Sequence, residues 1–414
     1  MRASAPFHLL AKPFGARCNL ECRYCFYLPK RELLPDAPAR MSDATLEHFT
    51  RAYIEAQPAG TSEVEFAWQG GEPTLAGLAF FERALELQRR FARPGMVIRN
   101  ALQTNGTLLD TDWAQFLARH AFLVGVSLDG PPRLHDPLRV DTHGHATHER
   151  VLRALALLAE HKVEHNVLTV VHALNAPHPV EVYDFLVGTG VRFLQFIPLV
   201  EPAPEGGLSA RSVPAAQYGK FLVGVLERWL ARGHVGEVFV RDFDSTLAAL
   251  MDLPGRTCVS SQECGRCLAI ERTGDVYSCD HFVDPEHALG RVGEHDLAEL
   301  VDGTFQSGFG RAKSADLPRQ CRECEHLRLC WGGCPKDRIA RDSFGEPGLN
   351  QLCTGYRIFF ERALPVLKAM ERCLRAGRPA REWRALTENA PRAVDRNSPC
   401  PCGSGAKFKR CCGA

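Results

Sequence analysis

Cysteine is the residue type whose number and spacing suggest chemistry in this chain. The 414 residues include 17 cysteines, of which sixteen fall into four clusters while Cys373 stands alone. An odd, clustered set is a poor disulfide framework, and the opening MRASAPFHLLAK lacks the apolar run of a secretory signal. We therefore expect metal ligation in a reducing compartment, and hence a cytoplasmic protein.

The first cluster, CNLECRYC, carries Cys18, Cys22 and Cys25 on one short segment. Three thiolates can hold three irons of a 4Fe–4S cubane and leave the fourth iron open to a cofactor. Half a zinc site, or two thiols of the core, is the alternative. Because the trio directly follows the first predicted strand, where a βα barrel collects its active site, the pattern favours an open, catalytic cluster.

The second and third clusters together supply enough thiols for two further cubanes. Between 321 and 334 the spacing is C-x2-C-x5-C-x3-C, which on its own also fits a zinc ribbon. Two complete sets of four follow if one cysteine of the group, Cys267, is left out. Cys267 and Cys373 are then expected to be buried small hydrophobic residues. The eight candidate ligands are Cys258, Cys264, Cys279, Cys321, Cys324, Cys330, Cys334 and Cys353.

The last cluster lies in the tail SPCPCGSGAKFKRCCGA and has a different spacing. Cys400, Cys402, Cys411 and Cys412 crowd four thiolates into thirteen residues, which suits a tetrahedral Zn²⁺ ion. Such a tail has no core, so the metal would supply its fold. Residues 391–414 hold five Lys and Arg against one Asp, a balance that fits contact with a ribosome, RNA or an acidic protein, or simply a solubilising tail.

The elements that must position these cysteines alternate in the first half of the chain. Predicted strands alternate with amphipathic helical stretches, a pattern typical of βα units on a parallel sheet that curls into a barrel or partial barrel. The six predicted strands are FHLLAK, VEFAWQ, VIRNALQT, FLVGVSLD, HNVLTVVH and RFLQFIPLV. The cysteine-rich region contains a predicted hairpin, LAIERTGDVYSCDHFV, with its turn at Thr273, Gly274 and Asp275.

Polar and glycine residues follow the ends of these predicted strands. Gly70, Gly71 and Glu72 follow strand two in WQGGEP, where glycines let backbone approach a ligand and the turn offers acceptors to an ammonium. Ser127 and Asp129 follow strand four and could bond ribose hydroxyls or a carboxylate. Arg139 lies farther on as a carboxylate clamp. A plain turn at a strand end is the alternative for GGEP, and ordinary turn formation before glycine is the alternative for Asp129.

Composition excludes several classes of protein. Hydrophobic residues make up 45% and charged residues 24%, a globular balance, and no apolar run approaches the roughly 18 residues of a membrane span. With 50 Lys and Arg against 49 Asp and Glu, the net charge of +1 gives no general attraction to nucleic acid or to an anionic membrane. We expect no membrane partner.

The segment CNLECRYCFY resembles the signature of the radical S-adenosylmethionine enzymes, and WQGGEP resembles their second signature. The resemblance implies a partial (β/α)6 barrel in which the methionyl amine and carboxylate of S-adenosylmethionine chelate the open iron. Residues at matching positions would bind this cofactor. They are Tyr24, Gly71, Ser127, Arg139 and Leu199.

The later cysteines resemble the SPASM extension of radical enzymes that modify peptides and proteins. That resemblance implies one auxiliary cluster on Cys258, Cys264, Cys279 and Cys334, and another on Cys321, Cys324, Cys330 and Cys353. The tail resembles the SEC-C motif. We accordingly expect an α/β protein with a radical barrel over 1–235, a SPASM domain over 236–374, a linker over 375–397 and a zinc motif over 398–414.

The phrase GDVYSCDHFV is similar to the anaerobic sulfatase-maturating enzymes. This resemblance implies oxidation of a Cys or Ser of a sulfatase to Cα-formylglycine, with Asp280 as the proton acceptor and with Gln69 and Tyr27 facing the substrate peptide. Backbone bonding by Gln69 and packing by Tyr27 are equally plausible roles. The implied cofactors are three 4Fe–4S clusters, S-adenosylmethionine and Zn²⁺ in the tail.

The implied electron donor is a reduced flavodoxin or ferredoxin, because cleavage of a sulfonium needs a low-potential reductant. The tail adds the prospect of contact with a ribosome or chaperone. Two other functions stay open from the sequence. One is a radical maturase of another peptide, forming a thioether, a carbon–carbon bond or an epimer. The other is a non-catalytic adaptor in which the cysteines bind zinc.

Overall fold

A ten-stranded sheet organises the computed structural model, which describes residues 1–33, 38–253 and 257–388 together with positions 407 and 410. The strand order is β10-β9-β8-β1-β2-β3-β4-β5-β6-β7. The strands from β1 to β7 pair in parallel, which confirms the predicted partial barrel and adds one short strand to its six. Their bounds are β1 His8–Ala11, β2 Glu63–Trp68, β3 Val97–Thr104, β4 Leu123–Ser127, β5 His165–Val171, β6 Phe193–Pro198 and β7 Phe239–Val240.

The cysteine-rich region continues the same sheet. The predicted hairpin is present as antiparallel β8 Cys267–Ile270 and β9 Asp275–Tyr277, followed by β10 Ala288–Arg291. Strand β8 pairs in parallel with β1, which the sequence did not indicate. This pairing brings the residues after β9 to the barrel edge where β1 ends. A separate small hairpin consists of β11 Ala340–Arg341 and β12 Pro347–Leu349.

Helices connect the parallel strands and cover the outside of the sheet. In the barrel they are α1 Asp43–Ala56, α2 Leu78–Phe91, α3 Thr111–Arg119, α4 Pro132–His135, α5 His148–Glu160, α6 Pro179–Gly188, α7 Ala215–Ala231 and α8 Arg241–Leu250. Those that follow are α9 Leu297–Asp302, α10 Thr304–Ala315, α11 Arg319–Arg322, α12 Leu327–Cys330, α13 Cys353–Arg375 and α14 Trp383–Glu388. Short 3-10 helices span Leu28–Leu33, Pro73–Ala76, Cys258–Ser260, Pro285–His287, Pro335–Asp337 and Ala380–Glu382.

An aromatic core fixes the end of β2, from which the WQGGEP segment leaves the sheet. Residues of β2 alternate between the core and the other face, and Trp68 is 1% exposed. Its ring makes edge contacts with Phe80 and Phe81 of α2, and its Nε1 donates to Asn100 Oδ1 at 2.8 Å. Aromatic rings bury large apolar areas in defined orientations. The core therefore holds the strand end that precedes Gln69 and Gly70.

The long helix α13 ties the cysteine-rich region back to the barrel. It packs along α7 with two glycines in contact, since a Cβ on Gly219 would lie 2.3 Å from the Gly355 carbonyl oxygen. Small residues allow this close approach of two helices. Among the described residues, no helix is both long and apolar enough to cross a bilayer.

Candidate active site

The cysteine trio lies on the loop that leaves β1. Cys18, Cys22 and Cys25 are close enough for their charges to interact, and the Cys18 Sγ accepts bonds from Leu20 N at 3.3 Å and Asn105 Nδ2 at 3.6 Å. Burial raises the pKa of Cys18 to about 12 and that of Cys22 to about 11. Iron ligation would therefore have to displace protons from these thiols.

The GGEP segment packs directly against this loop. Gly71 N donates to Gly15 O at 2.7 Å, and Glu72 N donates to Arg17 O at 3.0 Å, one residue before Cys18. A Cβ on Gly71 would lie only 2.0 Å from Arg17 O, and Gly70 has φ of +132°. Both positions therefore require glycine. The GGEP segment supports the cysteine loop through these backbone contacts.

Glu72 is fully buried and braces two strand ends. Its Oε1 accepts from Thr74 N at 3.0 Å, Thr74 Oγ1 at 2.6 Å and Thr104 Oγ1 at 2.8 Å, while its Oε2 accepts from Asn105 N at 2.8 Å. Burial raises the pKa of Glu72, and these bonds oppose the shift. The carboxylate thus joins the ends of β2 and β3, and its contact with a cofactor stays a prediction.

Arg139 and Tyr24 converge on Asp129, a buried carboxylate. Asp129 accepts from Arg139 Nε at 2.9 Å and Nη2 at 3.3 Å, from Val170 N at 2.9 Å and from the Tyr24 hydroxyl. Burial works against ionisation, but the guanidinium outweighs it and holds the pKa of Asp129 below its ordinary value. The sequence suggested Asp129 as a partner of the cofactor or a turn former. In the structure it orients Arg139 beside Cys22.

Ser127 and Leu199, also predicted to contact the cofactor, lie at the same edge of the barrel. Ser127 is the last residue of β4, and its hydroxyl accepts from Gln103 Nε2 at 3.2 Å. Leu199 follows β6 and is held by its N–H bond to Val171 O at 2.9 Å. Since parallel strands end on one side of the sheet, these residues share the trio's side of the barrel.

The three residues predicted to act on the substrate meet around Lys12, which the sequence analysis missed. Lys12 follows β1 and is fully buried. Its Nζ donates to Gln69 Oε1 at 3.1 Å and to Asp280 Oδ1, and it lies 4.5 Å from the centre of the Tyr27 ring. Lys12 directly follows a strand, and Ser127 was predicted as a site residue on the same ground. The position of Lys12 was therefore the signal that could have identified it. Residues from β1, β2 and the cysteine-rich region are thus joined by one ammonium.

Tyr27 has a second partner that the sequence did not reveal. Its hydroxyl donates to Glu271 Oε1, and burial, reinforced by this carboxylate, raises the pKa of Tyr27 above its ordinary value. The phenol is therefore neutral and held in place. Its ring forms one wall beside Lys12 and Asp280 at the barrel mouth.

Four of the predicted auxiliary ligands surround one cavity. Cys321, Cys324, Cys330 and Cys353, the second auxiliary set, line a cavity of about 320 Å³. His326 lines the same cavity, and its Nε2 is buried without a hydrogen-bond partner among the described residues. An unpaired buried ring nitrogen beside four thiols fits a cavity that holds a sulfide-rich group.

The other four predicted ligands form a second neighbourhood. Cys258, Cys264, Cys279 and Cys334 are the first auxiliary set. Burial raises the pKa of each thiol. Charge repulsion by Cys258 raises the pKa of Cys264 and of Cys334 further. Repulsion by Cys334 does the same to the pKa of Cys279. Cys267 also lies close to Cys279, whereas Cys373 is fully buried in the core.

No three of the described Cys, His, Asp and Glu residues are close enough together to hold a single metal ion. The predicted zinc ligands Cys400, Cys402, Cys411 and Cys412 lie outside the described residues.

Comparison with known proteins matches these features to families. Residues 13–186 match the radical SAM superfamily, residues 260–325 an iron-sulfur cluster-binding SPASM domain, and residues 396–414 the SEC-C motif. The chain is 42% identical over 386 residues to a serine-type anaerobic sulfatase-maturating enzyme of Klebsiella aerogenes, covering 93% of this chain and 91% of that protein. The chain belongs to the anaerobic sulfatase-maturating enzyme family.

Other relatives of this sulfatase-maturating enzyme include the cysteine type. The enzyme of Clostridium perfringens is 37% identical over 370 residues, covering 87% of this chain and 97% of that protein. The solved structure of native anSMEcpe with bound AdoMet and Cp18Cys peptide superposes with a TM-score of 0.81 at 36% identity, covering 89% of this chain and 99% of that chain. The predicted family, fold and type of enzyme, a radical SAM oxidoreductase, are thereby confirmed.

Proposed function

We propose that this enzyme oxidises a Ser or Cys side chain of a sulfatase polypeptide to Cα-formylglycine. The observation that carries the proposal is the contact of Lys12 with both Gln69 and Asp280 at the mouth of the barrel. It joins the ends of β1 and β2 to the residue that follows Cys279. Related proteins are serine-type and cysteine-type anaerobic sulfatase-maturating enzymes, and a solved relative holds a bound Cys peptide, which supports the substrate class.

The residues at the mouth divide the work of a two-electron oxidation. For a Ser substrate, conversion of CβH2–OH into CβH=O removes one hydrogen atom, one electron and one proton. Asp280 takes the hydroxyl or thiol proton, Gln69 bonds the substrate backbone, and Tyr27 bounds the space around the side chain. A Cys substrate loses the same hydrogen atom, electron and proton to give a thioaldehyde, which water converts to the aldehyde with release of hydrogen sulfide.

Separate groups of residues hold the cofactors. Cys18, Cys22 and Cys25 bind the first cluster, and Arg139, Tyr24 and the GG backbone orient S-adenosylmethionine beside it. The two auxiliary sets bind one cluster each. When bound, the first cluster and S-adenosylmethionine supply a carbon radical that removes the Cβ hydrogen, and the auxiliary clusters supply an electron acceptor.

The electron donor and the tail complete the proposal. A reduced flavodoxin or ferredoxin delivers the low-potential electron that sulfonium cleavage needs. The tail binds one zinc ion through Cys400, Cys402, Cys411 and Cys412, and its basic residues contact a ribosome or chaperone. A cytoplasmic location follows from the need to keep the cysteines reduced.

The test is a reaction of the reconstituted enzyme with S-adenosylmethionine, a reductant and synthetic sulfatase peptides. Mass spectrometry should detect loss of two hydrogens from a Ser peptide, or the same loss with oxygen in place of sulfur from a Cys peptide. Formation of 5′-deoxyadenosine without either change would favour a maturase of another peptide. A preparation that contains zinc but no iron or sulfide would instead favour the adaptor.

A further inference from the structure

Two cations, the buried Lys313 and the partly buried Arg338, lie between the two auxiliary sets. Lys313 of α10 is 1% exposed, and its Nζ donates to Ser261 O and, at 3.5 Å, to Trp331 O. Ser261 lies between Cys258 and Cys264 of the first set, while Trp331 lies between Cys330 of the second set and Cys334 of the first. Lys313 therefore connects two ligand-bearing segments.

Arg338 is the second cation and binds the same short loop. Its Nη2 donates to Trp331 O at 2.7 Å and its Nε donates to Gly332 O at 3.1 Å. The inter-cluster loop, Trp331–Gly333, has three consecutive residues with positive φ, of +47°, +69° and +64°. A Cβ on Gly332 would lie 2.8 Å from Arg338 Nη2, so the guanidinium packs tightly against this strained turn.

Both cations face thiols. The negative groups that act on Lys313 are Cys264, Cys330 and Cys258, and those that act on Arg338 are Cys321, Cys330, Cys264 and Cys334. Neither side chain forms an ion pair with a carboxylate within the described part of the chain. A buried charge without a counterion is costly, so Lys313, and to a smaller extent the partly buried Arg338, needs the negative charge that ligated thiolates provide.

We propose that Lys313 and Arg338, the cation pair, raise the reduction potentials of both auxiliary clusters. A cubane with four thiolate ligands is an anion, and gaining an electron makes it more negative. A fixed cation nearby stabilises the reduced form more than the oxidised form, and the low dielectric of the interior strengthens this effect. Because both cations act on both sets, the two potentials are coupled to the same charges.

This inference rests on the proposed ligand sets and concerns their function as electron acceptors. A higher potential makes each auxiliary cluster a better acceptor for the electron that the substrate gives up. The trio lies on the β1 loop, whereas the thiols that act most strongly on the two cations all belong to the auxiliary sets. The first cluster should therefore keep the low potential that sulfonium cleavage requires.

The experiment is a redox titration of the reconstituted full-length enzyme followed by electron paramagnetic resonance. In Lys313→Met, the ratio of reduced to oxidised auxiliary cluster at a fixed potential should fall at least tenfold, which equals a shift of about −59 mV for a one-electron couple. Lys313→Arg should restore most of the ratio because it keeps the charge. The exposed Lys220→Met is the matched control and should leave every potential unchanged.

Arg338→Gln provides a second test if Lys313→Met does not accumulate, because Arg338 is less buried and a glutamine amide can still donate to Trp331 O. It should lower both auxiliary potentials in the same direction and leave the first cluster unchanged. Variants with full iron content and parental auxiliary potentials would overturn the cation-pair inference alone. An unaltered enzyme that binds only the first cluster would overturn the ligand sets as well.

Discussion

Lys12 shows how one residue can organise a site. Its ammonium holds Gln69 and Asp280 together and lies against the Tyr27 ring, so three elements depend on one buried charge. In this ion pair the Lys12 side chain is 1% exposed and the Asp280 side chain is 18% exposed, so the carboxylate keeps some access to the barrel mouth. Orientation of a base toward its proton is a large part of its catalytic effect.

Asp280→Asn should separate cofactor cleavage from product formation. The amide keeps the size of the side chain but cannot accept the proton, so we expect aldehyde formation to fall about 100-fold or more while 5′-deoxyadenosine still forms. Chromatography of deoxyadenosine and mass spectrometry of the peptide measure the two events. Glu286→Gln, on an exposed position of the same segment, is the control. Product formation at the parental rate in Asp280→Asn would show that Asp280 is not the base.

Lys12→Met should uncouple the reaction in a different way. Without the ammonium, Asp280 and Gln69 lose their common partner, and we expect the yield of aldehyde per deoxyadenosine to fall about tenfold. Lys12→Arg should recover part of the yield because it keeps a donor and a charge. Lys368→Met, exposed on α13, controls for loss of a lysine. An unchanged yield in Lys12→Met would contradict a positioning role.

At the scale of elements, GGEP approaches the cysteine loop closely, and we expect this contact to determine whether the proposed first cluster can form. The two segments share backbone bonds from Gly71 to Gly15 and from Glu72 to Arg17, and there is no room for a side chain at position 71. The ends of β1 and β2 are in turn aligned by pairing of Ala11 with Trp68. Sheet register thus sets the position of the iron ligands.

Gly71→Ala should disturb this contact. A methyl group 2.0 Å from Arg17 O must push the loop away, so we expect a loss of about 1–3 kcal/mol in unfolding free energy and loss of about four irons per chain. Iron analysis and anaerobic denaturant unfolding measure both. At Gly60 a Cβ meets nothing within 4 Å, so Gly60→Ala should retain full iron content. A fully loaded Gly71→Ala enzyme would refute the close contact.

The first turn of α8 carries a carboxyl group that should make stability depend on pH. Burial raises the pKa of Asp242 to about 7, and its Oδ2 has no hydrogen-bond partner among the described residues. In the unfolded chain this carboxyl ionises near its ordinary pKa of 3.8, whereas in the folded protein it stays protonated up to about pH 7. The folded state therefore loses stability as pH rises toward 7. Between pH 5 and pH 7 the parent should lose about 2 kcal/mol relative to Asp242→Asn.

Denaturant unfolding of parent and Asp242→Asn at the two pH values measures this difference. Asp112→Asn, in the exposed first turn of α3, is the matched control and should track the parent. If parent and Asp242→Asn respond to pH in parallel, the carboxyl is not protonated in the folded protein.

At the scale of the whole molecule, one continuous sheet unites the barrel and the cysteine-rich region. Parallel pairing of β8 with β1 brings Asp280 to the barrel mouth, and α13 packs on α7. The residues proposed for substrate chemistry and those proposed for electron acceptance therefore belong to one continuous frame. In the sequence, the tail follows α14.

Truncation after residue 388 tests the independence of the tail. The shortened enzyme should keep about twelve irons and its activity on a short peptide, but it should lose about one zinc per chain. Metal analysis of both proteins measures this. Replacing Cys400 and Cys402 with Ser in the full chain should also remove zinc. Zinc retained by the truncated enzyme would place the ion elsewhere.

The sequence determined the parts of this protein whose information is local. The spacing of CNLECRYC, the glycines of WQGGEP, the alternation of the six barrel strands and the hairpin after Cys267 follow from short-range rules, and the structure contains each of these elements. Asp280 and Gln69 were named from resemblance, without any indication that they share a partner.

Only the tertiary structure decided which distant residues meet. Lys12 and Asp280 are separated by 268 positions in the sequence. The thiols that act on Lys313 range from Cys258, 55 positions before it, to Cys330, 17 positions after it. Contacts of this kind depend on the pairing of β8 with β1 and on the packing of α10 against the inter-cluster loop. No local pattern predicts these contacts, because the charges around a buried cation come from parts of the chain that only the complete fold brings together.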